Sequence, residues 1–577
     1  MHTFRVWAWW PRKVEVQAGH QRYAMRRGRD GWWTAKVASA RPGTDYGFVL
    51  DGQGPFPDPR SAWQPKGVHG LSRLVDHRSF RWSDGGIQAQ PLASAVIYEL
   101  HIGTFTPEGT FEAAIEHLDH LVQLGVTHVE LMPVNAFNGS RGWGYDGVDL
   151  FAVHPAYGDP DALRRLVNAC HARGLAVLLD VVYNHLGPSG NYLGKYAPYF
   201  NSRYPTPWGP AVNFDGPQSD EVRRFFCDNA LFWLRDYHFD GLRLDAVHAI
   251  LDTSAEPFLE QLRREVKTLG AQLGRHPVLI PESDLNDPRL LWPPERGGFG
   301  LDAQWSDDFH HALHTVLTGE RSGYYQDFGN LADLSQALRA AYVYDGRYSV
   351  HRRRRHGRSA AGLSGHRFVG YLQNHDQVGN RARGERMSKL VGLGRLKIGA
   401  ALVLTSPFIP MLFMGEEWGA SSPFQFFTDY PEPDLARAVR EGRRKEFASF
   451  GWKTKDVPDP QARATFERSK LNWAERSRAP HAELLAWHRA LIRLRGREPA
   501  LTDGRLDLVQ TRFDEAALWF VIKRGPVTVA CNLAHRRQAV PVPAAPGEVL
   551  LASEDSIQLR AAGLKMPPDS VVIFRSQ

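Results

Sequence analysis

The sequence predicts an α/β chain: a (β/α)8 barrel, of the kind called a TIM barrel, with a β-sandwich at each end. Three observations carry that expectation. From about Ser94 onward, eight short apolar runs alternate with stretches whose apolar residues recur at helical spacing. Both ends of the chain show short period-two alternation cut by Gly and Pro turns instead. The 577 residues exceed one ordinary domain but suit a barrel with two small companions. The expected divisions are 1–92, 93–500 and 501–577.

In the first division Phe4, Val6 and Ala8 share a strand face, and Ala35–Val37 and Tyr46–Leu50 are further strand candidates. Turn signals at Pro42-Gly43 and Asp51-Gly52 separate them. The proline-rich stretch from Gly52 to Gly70 reads as a linking loop.

The barrel begins with Val96–Leu100, followed by Phe111, Ile115, Leu118 and Val122 at helical spacing. The second strand is Val129–Met132, with a helix near Asp161 to Ala172. Leu175–Val182 is nearly all apolar, as a strand buried on both faces must be. A helix near 220–236 leads into the fourth strand at Gly241–Asp245. Val278–Ile280, Leu301–Trp305, Phe368–Gln373 and Met411–Met414 complete the eight. The stretch from Ala420 to about Ala479 reads as irregular and Arg-rich, and a helix from His481 to Arg495 is expected to close the barrel. In the last division, Ala517–Ile522 and Val527–Ala530 flank Arg524-Gly525-Pro526, a hairpin pattern.

The formal charge of +7 is small for this length, and the run Arg352–Arg355 reads as a solvated loop with no nucleic-acid reading motif around it. Cys170, Cys227 and Cys531 are too far apart in sequence to suggest a disulfide framework or a metal cluster, which fits a reducing compartment. Residues 1–7 lack a basic-then-apolar signal pattern, and the apolar stretch Ile398–Met414 is broken by Ser406, Pro407 and Pro410. The expectation is a cytoplasmic protein that neither enters a membrane nor binds nucleic acid.

Chemistry is expected at the C-terminal ends of the barrel strands. The fourth strand carries two charges where a core strand should have none. Arg243 and Asp245 alternate with Leu242 and Leu244, so they share a face. The arginine keeps the neighbouring carboxylate ionised, the state a nucleophile needs. The third strand ends in Asp180-Val181-Val182-Tyr183-Asn184-His185, the fifth in Pro281-Glu282-Ser283 and the seventh in Gln373-Asn374-His375-Asp376. Asp245, Glu282 and Asp376 therefore converge with His185 and His375 on one rim. Glu282 follows an apolar run, has no obvious cationic neighbour in the sequence, and suits a proton donor with a raised pKa. Asp376 suits stabilisation of the distorted ring. Tyr145, in Gly142-Trp143-Gly144-Tyr145-Asp146, offers an aromatic face to a sugar. A metal centre would use the same residue types, but no local ligand spacing supports one.

The four segments 180–185, 241–245, 281–283 and 373–376 resemble, in order and in barrel placement, the four signature regions of the α-amylase superfamily, glycoside hydrolase family 13. The resemblance implies a retaining hydrolase of α-glucosidic bonds, with Asp245 as nucleophile, Glu282 as acid/base and Asp376 as transition-state stabiliser. It also implies that Tyr145, His185, Arg243 and His375 line the subsite of the reacting glucose. The N-terminal sandwich looks like the glycogen-branching type of accessory domain.

Tyr98–Phe111, Asn374–Arg381, Met414–Gly419, Phe426–Asp429 and Arg443–Phe447 resemble the trehalose-releasing branch of the superfamily, which implies malto-oligosyltrehalose and related α-glucans as substrates. Branching enzymes are the nearest alternative, and a non-catalytic α-glucan-binding protein is the alternative of another class. After the nucleophile the sequence has His248-Ala249 where α-amylases carry Lys-His, a departure at the acceptor site. Asn184 matches an amylase calcium ligand, but partners for it are not evident, so neither a structural calcium nor any cofactor is expected. The segment from Ala420 to Trp452 is the candidate for part of a trehalose-shaped wall.

Overall fold

The structure is a computed structural model that describes residues 1–87, 89–448, 457–560 and 563–576. The barrel strands are β1 (Ile97–Leu100), β2 (His128–Leu131), β3 (Ala176–Val181), β4 (Gly241–Leu244), β5 (Val278–Pro281), β6 (Gln304–Trp305), β7 (Phe368–Tyr371) and β8 (Ile409–Phe413). They form one parallel sheet in the order 5-4-3-2-1-8-7-6, so β8 pairs with β1 and, among the described residues, only the seam between β5 and β6 lacks a ladder. Asp302 spans that seam: its N–H donates to Leu279 O at 3.0 Å and its carboxylate accepts from Leu279 N at 2.8 Å. The Gln304 amide donates to Ser283 O at 2.8 Å.

Inside the barrel Ile97, Leu178, Ile280, Val369, Ile409 and Met411 form an apolar plug. Outside, Pro160–His171, Ser219–Asp236, Phe258–Leu273, Asp307–Thr318, Leu393–Leu404 and His481–Arg497 cover the strands. Ser406, Pro407 and Pro410 fall where expected: the first two in the turn after helix Leu393–Leu404, and Pro410 within β8.

Three expectations about the barrel region need correction. The apolar series from Phe111 to Val122 forms two helices, Phe111–Ile115 and Leu118–Leu124, broken at Glu116-His117. The β5–β6 connection has two 3-10 turns, Pro288–Leu290 and Pro294–Arg296, in place of an α-helix, because its prolines remove the donors a helix needs. The stretch after Ala420 is not irregular throughout, since Pro433–Ala448 is a helix. Its charged sequence carries only a narrow apolar face, so periodicity did not reveal it.

At the N-terminus, His2–Trp7, Trp32–Val37 and Arg26–Arg27 form one sheet, while Gln21–Ala24, Val14–Ala18, Asp45–Leu50 and Gln53–Phe56 form a second. Gln53–Phe56 thus takes the start of the expected linking loop into a strand. Phe4, Val6, Val16 and Phe48 fill the space between the sheets, and this core is continuous with the barrel's outer core. At the C-terminus a sheet of Val509–Asp514, Trp519–Arg524, Val527–Asn532, Ser570–Ser576 and Pro546–Ala552 faces a smaller one of Gln538–Val540, Gly563–Met566 and Gln558–Arg560. No helix among the described residues is long and apolar enough to cross a membrane.

Candidate active site

Arg243 organises the floor of the site. It points inward from β4, fully buried, with its guanidinium 4.0 Å from the Trp305 ring centroid. Nη1 donates to Asp180 Oδ2 at 2.6 Å and to Asp245 Oδ1 at 3.1 Å, and Nη2 donates to Glu282 Oε2 at 2.6 Å. The shared face read from the alternation is therefore present. The expectation that Glu282 lacks a cationic neighbour is wrong: the neighbouring strand supplies Arg243. Burial nevertheless pushes the Glu282 carboxyl above its ordinary range; Arg243 pulls it down and Asp245 pushes it up. The raised pKa thus comes from the buried position and not from the absence of a cation.

Immediately after Asp245 the backbone turns through Ala246 at φ 40°, a left-handed conformation that costs a non-glycine residue roughly 1–3 kcal/mol. The turn aims the Ala246 N–H at Glu282 Oε2, 2.9 Å away. Asn184, at the end of β3, donates to Asp245 Oδ2 at 2.8 Å and accepts from His185 Nδ1 at 2.5 Å. Its amide is thus committed to the nucleophile candidate and its neighbour. Among the described residues no group of three or more His, Cys, Asp or Glu is arranged to hold a metal ion.

His375 sits beside Tyr145, ring centroids 4.9 Å apart and nearly parallel. Its backbone N–H and Nδ1 both donate to Glu99, at 2.9 and 2.5 Å. Burial alone would lower the imidazole pKa, but the carboxylates of Asp376 and Glu99 outweigh it and raise the value to about 9. His375 is therefore a cation at neutral pH. Tyr145 donates to Asp180 Oδ2 at 2.5 Å. His185 stacks on Trp208, centroids 4.5 Å apart, and burial lowers its pKa, which keeps it a neutral hydrogen-bonding group.

Above this floor opens a cleft of about 530 Å3, within the usual range for a small-molecule site. Tyr145, His185, Asp245, Glu282, His375 and Asp376 all line it, with Arg243 directly beneath. All seven residues singled out in the sequence thus meet at one place. One wall comes from Phe426, Thr428, Tyr430, Leu435, Val439 and Arg443, all within the segment proposed as the specificity wall. Residues 449–452 of that segment lie outside the described residues, as do the side chains of Glu446 and Phe447. Arg443 donates to Asn380 Oδ1 at 3.2 Å, and Asn380 donates to Asp376 Oδ1 at 3.1 Å, so the helix Pro433–Ala448 reaches the third carboxylate through one asparagine.

Sequence reading assigned no role to Glu99, Asp180, Trp208, Tyr430 or Asn380. Glu99 carried a usable signal, a lone charge in the apolar run Ile97–Leu100, like that of Arg243 in its own strand. Trp208, 53% exposed between two hairpin strands, carried none. The run Arg352–Arg355 is only partly solvated: Arg352 donates to Asp284 Oδ2 at 2.9 Å, two residues beyond Glu282.

A family profile for the alpha-amylase catalytic domain matches residues 75–204, and one for a domain of unknown function, DUF3459, matches residues 504–573. A protein named malto-oligosyltrehalose trehalohydrolase from Mycobacterium tuberculosis is 52% identical over 570 residues, 96% of each chain. One of the same name from Arthrobacter ramosus is 52% identical over 577 residues, 99% of each. A 1,4-alpha-glucan branching enzyme from Corynebacterium jeikeium reaches 30% over 49% of this chain, so that alternative matches only in part. A crystal structure from Salmonella typhimurium, provisionally described as an alpha amylase, superimposes with a TM-score of 0.91 at 40% identity, covering 100% of this chain and 97% of that one. With about half of its residues identical over nearly its whole length, the chain belongs to the malto-oligosyltrehalose trehalohydrolase family.

Proposed function

We propose that the protein hydrolyses the α-1,4-glucosidic bond next to the terminal trehalose of malto-oligosyltrehalose, with retention of configuration, releasing trehalose and a malto-oligosaccharide. The observation that carries the chemistry is the bridging of Asp245 and Glu282 by the two ends of one guanidinium. A fork of that size favours the short carboxylate separation of about 5 Å used for direct attack, over the wider gap that admits a water. Asp245 attacks the anomeric carbon, while Glu282 gives its proton to the departing oxygen and later takes one from water. Asp376 faces the developing positive charge on the ring, and Tyr145, His185, Arg243 and His375 hold the glucose that reacts.

The specificity follows from the wall. Trehalose has no free reducing group, and its second ring leaves the first at an angle unlike that of maltose. A wall of Tyr430, Leu435, Val439 and Arg443 shaped around that bend discriminates against a linear chain, whose hydroxyls would leave buried polar groups unpaired. The cysteines, all free and buried, accord with a cytoplasmic setting.

Incubation with malto-oligosyltrehalose and with maltoheptaose tests the reading. Trehalose release from the first, with much slower cutting of the second, is expected. Comparable kcat/KM on both refutes the trehalose specificity, and new α-1,6 branches in amylose point to a branching enzyme. The Asp245→Asn variant, folded but with turnover lower by several orders of magnitude, is the control for the nucleophile.

A further inference from the structure

Glu130 on β2 is an ionisable group the chemistry above does not use. It is fully buried and lies beside Glu99 in the parallel register of β1 and β2, with Leu178 of β3 on its other side. Neighbouring strands run roughly 4.8 Å apart, so the two glutamates stand within reach of each other on the inner face. Among the described residues neither Glu130 oxygen meets a hydrogen-bond donor. The charged groups around it are Glu99 on β1, Asp180 on β3, Arg243 on β4 and His375 after β7. Arg243 is committed to Asp180, Asp245 and Glu282, and His375 to Glu99. Among the described residues Glu130 forms no ion pair, and an unpaired buried carboxylate costs several kcal/mol. Burial, then Glu99 and Asp180, push its pKa well up. Glu99, by contrast, is an acceptor with capacity to spare: two oxygens offer about four lone-pair sites, of which His375 takes two.

We propose that Glu130 is a positioning residue whose carboxyl stays protonated and donates a hydrogen bond to the Glu99 carboxylate, fixing the oxygens that hold His375 against the cleft. The proton remains on Glu130, so nothing is transferred. The result is a chain of contacts, Glu130 to Glu99 to His375, that runs from the barrel interior to the sugar-binding rim. It leaves the interior with one carboxyl neutral instead of two like charges side by side.

The inference rests on the proposed reading of the site, but its first test needs no substrate. Infrared difference spectra of the intact protein against Glu130→Gln at neutral pH are expected to lose the carbonyl stretch of a buried protonated carboxyl. No such loss overturns the proposal, whatever the enzyme's activity. Kinetics on malto-oligosyltrehalose supply the second test. The Gln amide can still donate to Glu99, so Glu130→Gln is expected to keep kcat within about threefold. Glu130→Leu cannot donate, and its kcat is expected to fall roughly tenfold. The His375 imidazole, followed by NMR, should also titrate at higher pH in that variant, because an unshared Glu99 holds its proton more tightly. A Leu variant with unchanged kcat and His375 titration, or a Gln variant as impaired as the Leu one, overturns the proposal. Should the Leu variant not fold, the spectrum of the Gln variant decides.

Discussion

Arg243 Nη2 donates to Glu282 Oε2 at 2.6 Å, a closer contact than the same guanidinium makes with the nucleophile candidate. A guanidinium does not lose its proton, so Glu282 works against a permanent cation. Proton loss from Glu282 therefore leaves a paired carboxylate, which suits its proposed service as acid and then as base.

Glu282→Gln is accordingly expected to lose roughly 10^2–10^4-fold in kcat on malto-oligosyltrehalose, the usual worth of a general acid. On a glycosyl fluoride, whose leaving group needs no proton, the first half-reaction should largely survive. Burst kinetics separate the two steps. Equal losses on both substrates argue against the acid role.

His375 gives a prediction about stability. Its folded pKa is about 9 against 6.5 for an ordinary histidine. The folded state therefore binds more protons than the unfolded one between those values, and stability falls as pH rises through that window. The contribution is fully present below the ordinary value, on the order of 3 kcal/mol, and lost above the raised one. Glu99→Gln removes the main hydrogen-bonding anion, so its stability should change less between about pH 6 and about pH 10 than that of the parent. Denaturant titrations at the two pH values measure this, and identical losses in both proteins would falsify the assignment.

The wall predicts a change in preference. Leu435 and Val439 are one helical turn apart and both face the cleft. Replacing both with alanine should lower kcat/KM on malto-oligosyltrehalose while changing the rate on maltoheptaose much less. A uniform loss on both substrates would place the discrimination elsewhere.

Removal of residues 501–577 is expected to yield insoluble or strongly destabilised protein. Phe520, Ile522, Val529 and Ile573 belong to the same core as the barrel helices. Arg524 donates to Thr405 O at 2.8 Å, and Lys397 donates to Ser553 O at 2.9 Å. A soluble truncated chain with an unchanged Tm would contradict this. No described residue of the segment lines the cleft, so any folded remainder should retain chemistry.

All eight strands were legible, because a parallel barrel strand is buried on both faces and writes a short apolar run. The charges at their ends were legible for the same reason: Arg243, Glu282 and His375 interrupt or cap runs that otherwise exclude them. What the sequence could not show is which strand ends touch. Glu282 meets Arg243 through the register of β4 and β5, and Glu99 meets His375 across some 276 positions of chain. The wall helix was missed because its few apolar residues, Leu435 and Val439 among them, recur at helical spacing but are outnumbered by charged ones, so the segment reads as a polar loop. Arg352 was misread because a run of four arginines says nothing about which of them finds Asp284.

The seam between β5 and β6 bears on how this barrel would fail. β6 is two residues long, and no α-helix backs the β5–β6 connection. Closure there depends on Asp302 and Gln304 instead of a continuous ladder. Local opening free energies track such differences, so amides of β5 should exchange with deuterium sooner than those of β3, which is paired along both edges. β5 delivers Glu282. Breathing at this joint would misalign the proposed proton donor while the rest of the barrel stands, so heat should silence the enzyme before it melts.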